Sequence, residues 1–367
     1  MALTAGIVGL PNVGKSTLFN AITKTKAHAA NYPFATIDPN VGIVDVPDAR
    51  LYTIADIVKP KSIVPTSFEF TDIAGLVKGA SKGEGLGNQF LSHIREVDAI
   101  IHVVRCFEDG DVPHVDGSVD PIRDVETIHT ELILADLDIV QKRLPRIEKK
   151  AKLNIDRETK EEFELLKQLE TALYDERPIR DMTLTKEEKD TLKSYGFLTQ
   201  KPMLYVCNIS EEALTSGEEN KHVDNVHALA ASQNAEALTI SAQIEAELSE
   251  LPEEDKAAYL EELGLNDSGL NRLIKRSYTL LNLKTFFTAG EKEVRAWTFK
   301  EGMRAPECAG IIHTDFQKGF IRAETMRYED LVEHGSMQKV KEAGKMRLEG
   351  KDYIVKDGDI LLFRFNL

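Results

Sequence analysis

Residues 9–17 read GLPNVGKST, a stretch that a strand–loop–helix unit accommodates and few other folds do. Leu3 to Val8, just before it, form a short apolar run of strand type, and Thr17 to Ile22, just after it, can start a helix. Gly9, Gly14, Lys15 and Ser16 have the spacing G-x-x-x-x-G-K-[ST], which needs that context. The glycines let the backbone curl so that successive N–H groups point inward at phosphate oxygens. The start of the following helix adds partial positive charge. Lys15 would reach the β- and γ-phosphates, and the Ser16 hydroxyl would ligate Mg²⁺. Asn12, Val13, Gly14, Lys15, Ser16 and Thr17 are therefore candidate nucleotide-binding residues, and a nucleoside triphosphate is the expected ligand.

At 367 residues the chain has room for two or three domains. Apolar content of 42% and charged content of 29% are ordinary for a globular protein. No apolar run is long enough to span a bilayer, so no membrane association is expected. The chain enters its first strand without a charged–apolar–small leader. Cys106, Cys207 and Cys308 lie far apart with no metal-ligand spacing, and read as apolar filler in a reducing cytoplasm. The net charge of −15 argues against non-specific attraction of the whole molecule to nucleic acid. Residues 281–367 are close to charge-balanced, and the acidic excess lies before them.

Strand-like and helix-like segments alternate in the first part, as in a parallel α/β sheet. The strand candidates are Leu3–Val8, Gly42–Val46, Ser67–Thr71, Ala99–Arg105, Met203–Asn208 and Ala237–Ile240. Residues 124–197 differ, being rich in Glu, Lys and Leu. Ile128, Leu132, Ala135 and Ile139 keep helical spacing, as do Phe163, Leu166, Leu169 and Leu173. Two antiparallel helices would bury those rows against each other, as an arm inserted between two strands. The arm carries Lys142, Arg143, Arg146, Lys149, Lys150 and Lys152, which suit either a solvated face or an RNA or partner contact. Beyond a boundary near Leu280, strand-like segments return at Thr285–Phe287, Arg295–Phe299, Tyr353–Val355 and Asp359–Phe365. A single helix candidate, Pro306–Thr314, lies among them. The expected domains are 1–280, holding the 124–197 arm, and 281–367.

Phosphate transfer needs a metal-orienting carboxylate at the end of a neighbouring strand. Asp72 ends the apolar run Ser67–Thr71 and opens D-I-A-G, with Gly75 free to turn its N–H toward a γ-phosphate. Thr36, in NYPFATIDPN, is placed to add a second hydroxyl to the metal. Two positions depart from guanine-specific switch enzymes. Leu76 stands where a glutamine would orient water. Asn208-Ile209-Ser210-Glu211 stands where Asn-Lys-x-Asp would read guanine, and the longer Glu misplaces the acceptor. Guanine donors would then lose their partner, and adenine is favoured. Ser241-Ala242-Gln243 resembles the S-A-K base loop, so Asn208, Ile209, Ser241 and Ala242 join the candidate site.

With Leu76 unable to act, water must be oriented from elsewhere. Ala99–Arg105 ends where ligands of such sheets bind and runs into CFEDGDVPHVDGSVDP, a stretch with flexible composition. His114 lies in it, and an imidazole can hold a water or accept a proton near neutral pH. His114 is thus the candidate catalytic residue beside Lys15, expected to swing in as the loop orders.

The run DIAGLVKGASKGEGLGNQFLSHIREVDAI resembles the Obg-related GTPases. With GLPNVGKST, FATIDPN, N-x-x-E for N-K-x-D and the helical arm, the whole chain resembles the Obg-like ATPase (YchF) family. The resemblance implies a P-loop NTPase sheet with an inserted helical arm and a C-terminal β-grasp TGS domain. It implies a cytosolic, ribosome-associated ATPase using Mg²⁺, with Ser16, Thr36 and Asp72 as metal ligands. Asn12 corresponds to the position that helps hold K⁺ in potassium-stimulated relatives. Expected partners are ATP and the ribosome or its RNA, with a monomer favoured. A GTPase of the Obg class and a nucleotide-gated RNA binder with incidental turnover are the alternatives.

Overall fold

In the computed structural model the described residues are 3–24, 40–74, 86–110, 112, 114–115, 117–153 and 156–366. The chain order is β1 (Thr4–Val8), α1 (Lys15–Lys24), β2 (Val41–Asp45), α2 (Ala49–Val58), β3 (Ser62–Val64), β4 (Ser67–Asp72), α3 (Leu86–Glu96) and β5 (Ala99–Arg105). Next come α4 (Pro121–Lys152), α5 (Arg157–Tyr174), α6 (Lys186–Leu192), β6 (Met203–Asn208), α7 (Glu211–Ser216), α8 (Lys221–Ser232), β7 (Glu236–Ile240), α9 (Ala242–Glu250), α10 (Glu253–Glu262) and α11 (Gly269–Leu280). The remainder is β8 (Leu283–Ala289), β9 (Glu293–Lys300), α12 (Ala305–Ile312), α13 (Thr314–Lys318), β10 (Phe320–Arg327), α14 (Tyr328–His334), α15 (Met337–Glu342), β11 (Arg347–Glu349) and β12 (Asp359–Phe365). Contacts divide the described residues into two units. Residues 43–68 with 271–366 form one, and the rest form the other.

In the first unit, β5 and β6 are buried along their whole length, as strands covered on both faces must be. The sheet order is β2-β4-β1-β5-β6-β7. β1 pairs in parallel with β4 and β5, β5 with β6, and β6 with β7. The six strand segments expected from the sequence all lie in this sheet, within a residue or so at each end. Chain order reverses direction around β1, so the loop after β1 opens at the switch point where such sheets bind ligands.

The expected arm is present as α4 and α5, each started by an aspartate N-cap. Asp120 accepts from the Arg123 N–H and Asp156 from the Thr159 N–H. Its core differs from the expected row on α4. Ile133, Leu137, Val140 and Ile147 pack with Leu165, Leu166, Leu169 and Leu173 of α5, and Ile139 and Phe163 are half-buried against them. Ile128, Leu132 and Ala135 are buried but lie outside that cluster. The physical reason is that α4 is covered on two sides, since it also packs on β5 and α8. The buried carboxylate of Asp136 accepts from the Leu198 and Thr199 N–H groups and the Thr199 hydroxyl. It thereby anchors the chain returning from the arm. Half of the basic cluster is already paired: Lys142 with Asp138, Arg143 with Glu162, and Lys152 with Glu148.

The second unit has the sheet order β11-β10-β12-β8-β9-β3. Counted within the C-terminal module, that is fourth, third, last, first, second, with the last strand parallel to the first. This is the β-grasp arrangement, with α12 packed on the sheet. The single expected helix is joined by three more, α13 to α15, and one expected strand is not formed. Tyr353–Val355 is not a strand; Ile354 makes one isolated bridge with Arg304. Phe320–Arg327 is a full strand that charged Arg322, Glu324 and Arg327 had disguised, and it pairs along its length with β12. β3 adds a further strand by pairing in parallel with β9. Leu51 and Ile54 of α2 join the core with Phe287, Val294, Ala296 and Met326. The expected division at 280/281 left segment 43–68 with the N-terminal residues, whereas its contacts group it with this unit.

Candidate nucleotide-binding site

The phosphate loop runs from the end of β1 into the first turn of α1. Asn12 adopts φ +64° and Gly14 φ +93°, left-handed backbone at two of three successive positions. Gly14 has a second constraint, because a Cβ there would run into the Asn208 side-chain amide. At Gly9 a Cβ would come within 2.8 Å of the Val103 carbonyl oxygen. The Leu18 N–H donates to the Gly14 carbonyl at 3.0 Å, closing the helix entry. Val13 is buried, Ser16 and Thr17 are exposed at the start of α1, and Lys15 is buried.

Lys15 forms an ion pair with Asp72, the last residue of β4. The structure therefore brings the candidate phosphate-binding cation and the candidate metal carboxylate together, next to Ser16 in the chain. An all-oxygen pair of a hydroxyl and a carboxylate suits Mg²⁺, which takes few protein ligands and shares the rest with phosphate and water. Thr36, Gly75 and Leu76 lie outside the described residues.

Asn208, ending β6, holds the loops together. Its amide nitrogen donates to the Val13 carbonyl at 2.9 Å, and its oxygen accepts from the Ala242 N–H at 2.9 Å. Ile209 is buried behind it. Ser210 caps α7 by accepting from the Ala213 N–H, and Glu211 starts that helix. The carboxylate in the guanine-reading register thus belongs to a helix first turn. Ser241 is fully buried at the N-cap of α9, and its hydroxyl has no hydrogen-bond partner among the described residues.

His114 is not displayed on an open loop as expected. Its Nε2–H donates to Asp124 Oδ2 at 2.8 Å, and both side chains are 2% exposed. The Arg123 guanidinium lies 3.5 Å from Nδ1. Asp124 sits in the first turn of α4, and its burial raises its carboxyl above the usual range, against His114 and Arg123, which lower it. An aspartate ten residues downstream pins the ring, a partner that loop composition could not reveal.

Sequence reasoning also missed Arg105. It is 1% exposed at the end of β5, next in register to Asn208. It donates to the carbonyls of Phe107 (3.1 Å), Val112 (3.0 Å) and Asp109 (3.3 Å), and at 3.5 Å to that of Asn12. The signal was present in the sequence: one arginine closes AIIHVVR, a strand with no other charged residue of the Asp, Glu, Lys or Arg type.

A family model described as a 50S ribosome-binding GTPase matches residues 4–142, and a YchF-type C-terminal model, described as a protein of unknown function, matches residues 283–366. Over 367 residues the chain is 60% identical to the Bacillus subtilis protein named ribosome-binding ATPase YchF. It is 53% identical to the protein of that name from Escherichia coli O157:H7, and both alignments cover 100% of each chain. The solved Schizosaccharomyces pombe YchF GTPase matches with a TM-score of 0.90 at 40% identity, covering 99% of this chain and 97% of that one. A GTP-binding protein from Pyrococcus horikoshii shares the fold at a TM-score of 0.63 and 20% identity, covering 99% and 100%.

Proposed function

Because the chain belongs to the YchF family, we propose that it is a ribosome-binding ATPase that hydrolyses ATP to ADP and phosphate. The relatives named ribosome-binding ATPase match it end to end, and the phosphate loop supplies the chemistry. The N–H groups from Asn12 to Thr17 and the Lys15 ammonium bind the phosphates. Mg²⁺, which neutralises phosphate charge when bound, would be held by Ser16 and Asp72, with Thr36 as a further ligand. Gly75 is the residue whose N–H would serve the γ-phosphate, and Asn12 is the residue that would help hold K⁺. Ile209, Ser241 and Ala242 line the base. His114 orients or deprotonates water, and for that it must leave Asp124, since both ring nitrogens face partners. The protein works in the cytoplasm as a monomer, with the ribosome or its RNA as partner.

One observation carries the choice of adenine. The chain leaves β6 through buried Ile209 and commits Glu211 to α7, so no aspartate is presented to guanine. Calorimetry on the purified chain should show ATP binding at least several-fold tighter than GTP. Ile209→Lys with Glu211→Asp should raise GTP affinity. Equal or tighter GTP binding by the unaltered chain overturns the reading in favour of an Obg-class GTPase.

A further inference from the structure

Two successive carbonyls of the phosphate loop are gripped from behind by the last residues of two neighbouring strands. Asn208, ending β6, takes Val13, and Arg105, ending β5, reaches Asn12. A carbonyl turned back toward the sheet leaves the following N–H turned outward, toward phosphate. The grip supports Asn12 in left-handed backbone, a conformation that residues with a Cβ adopt less readily than glycine. The Arg105 guanidinium is buried, no carboxylate lies in salt-bridge range among the described residues, and its other donors go to Phe107, Asp109 and Val112. It also lies over the Phe107 ring, 4.6 Å from the centroid. A fork of fixed N–H groups can hold four carbonyls at once, which an ammonium on a flexible stem cannot.

We propose that Arg105 is a positioning residue that clamps the loop leading to His114 onto the phosphate loop, so that both sides of the γ-phosphate are set by one side chain. The clamp rests on His114 acting on water. It does not touch the reacting atoms. It sets how far the His114 loop stands from the phosphate loop, while Asn208 and Lys15 keep the nucleotide bound without it.

A double-mutant cycle tests the clamp. Arg105→Met should lower kcat about tenfold in the unaltered protein. In a His114→Ala background the same substitution should cost less than about twofold. ATP affinity by calorimetry should change less than about threefold in each case. Arg105→Lys keeps the charge but not the fork and should behave like the methionine variant. Circular dichroism melts show whether each variant is folded. If Arg105→Met unfolds the chain, the lysine variant carries the cycle. Additive losses, full turnover with lysine, or weakened ATP binding at unchanged kcat each overturn the clamp. If His114→Ala alone leaves the rate intact, the failure lies in the reading of His114, and the clamp falls with it.

Discussion

Lys15 shows how much one side chain can be asked to do. It is buried, it sits in the first turn of α1 and it is paired with Asp72. Its ammonium is thus already held by a carboxylate, and in the proposed site a triphosphate would compete for the same charge. Lys15→Ala removes a charge-assisted contact to phosphate, typically worth roughly 1.5–3 kcal/mol, and leaves Asp72 uncompensated. We expect ATP turnover to be abolished while the circular dichroism spectrum is kept. Retained full turnover would move the active site away from this loop. The same residue-scale logic explains why Gly14 is glycine: positive φ and the Asn208 amide each exclude a side chain.

Among the elements, β5 and α4 carry an unusual burden. His102 of β5 is buried with Nδ1 unpartnered among the described residues, and its ring packs against His129 of α4 and Tyr205 of β6. The Tyr205 hydroxyl lies 2.8 Å from His129 Nε2 and donates to Gln233 at 2.7 Å. Burial, then the nearby Arg180 charge, lowers the His102 pKa to about 3. The folded ring therefore stays neutral down to about pH 3, whereas the unfolded chain protonates it near 6.5. Acidification between those values favours the unfolded chain. Asp136, raised to about 6 by burial, acts in the opposite sense. Comparing the protein with its His102→Leu variant cancels that contribution. In urea denaturation, the stability of the unaltered protein relative to the variant should fall by about 1.4 kcal/mol per pH unit below about 6.5. A pH-independent difference would show that the ring ionises freely in the folded state.

For the whole molecule, the grouping of residues 43–68 with the C-terminal sheet has a consequence. Leu51 and Ile54, 1% and 0% exposed, are covered by Phe287, Val294, Ala296, Met326 and Ile360. Arg50 also bridges Asp48 and Asp357, and Asp357 accepts from the Thr285 N–H. A fragment ending at Leu280 would expose both apolar side chains, at roughly 1.5–3 kcal/mol each, and strand the Arg50 pair. That fragment should bind a hydrophobic dye and sediment as aggregates. A monodisperse fragment with a cooperative melt would show that α2 is indifferent to its cover.

The sequence by itself determined what depends on neighbours along the chain. The phosphate loop is legible because its function resides in contiguous backbone, and because glycine, lysine and serine at fixed spacing leave few other solutions. β5 and β6 of the first sheet are legible because burial on both faces demands runs that are nearly all apolar. Tertiary structure decided what depends on distant partners. Which row of α4 faces α5 followed from α4 being covered on two sides, and periodicity cannot choose between two buried rows. β10 was hidden because its charged side chains break the apolar pattern while its backbone pairs with β12. His114 is ordered by Asp124, and Arg105 reaches a carbonyl 93 positions earlier in the chain. Hydrogen bonds of that kind leave no periodic trace, because a backbone carbonyl is the same acceptor whatever residue carries it.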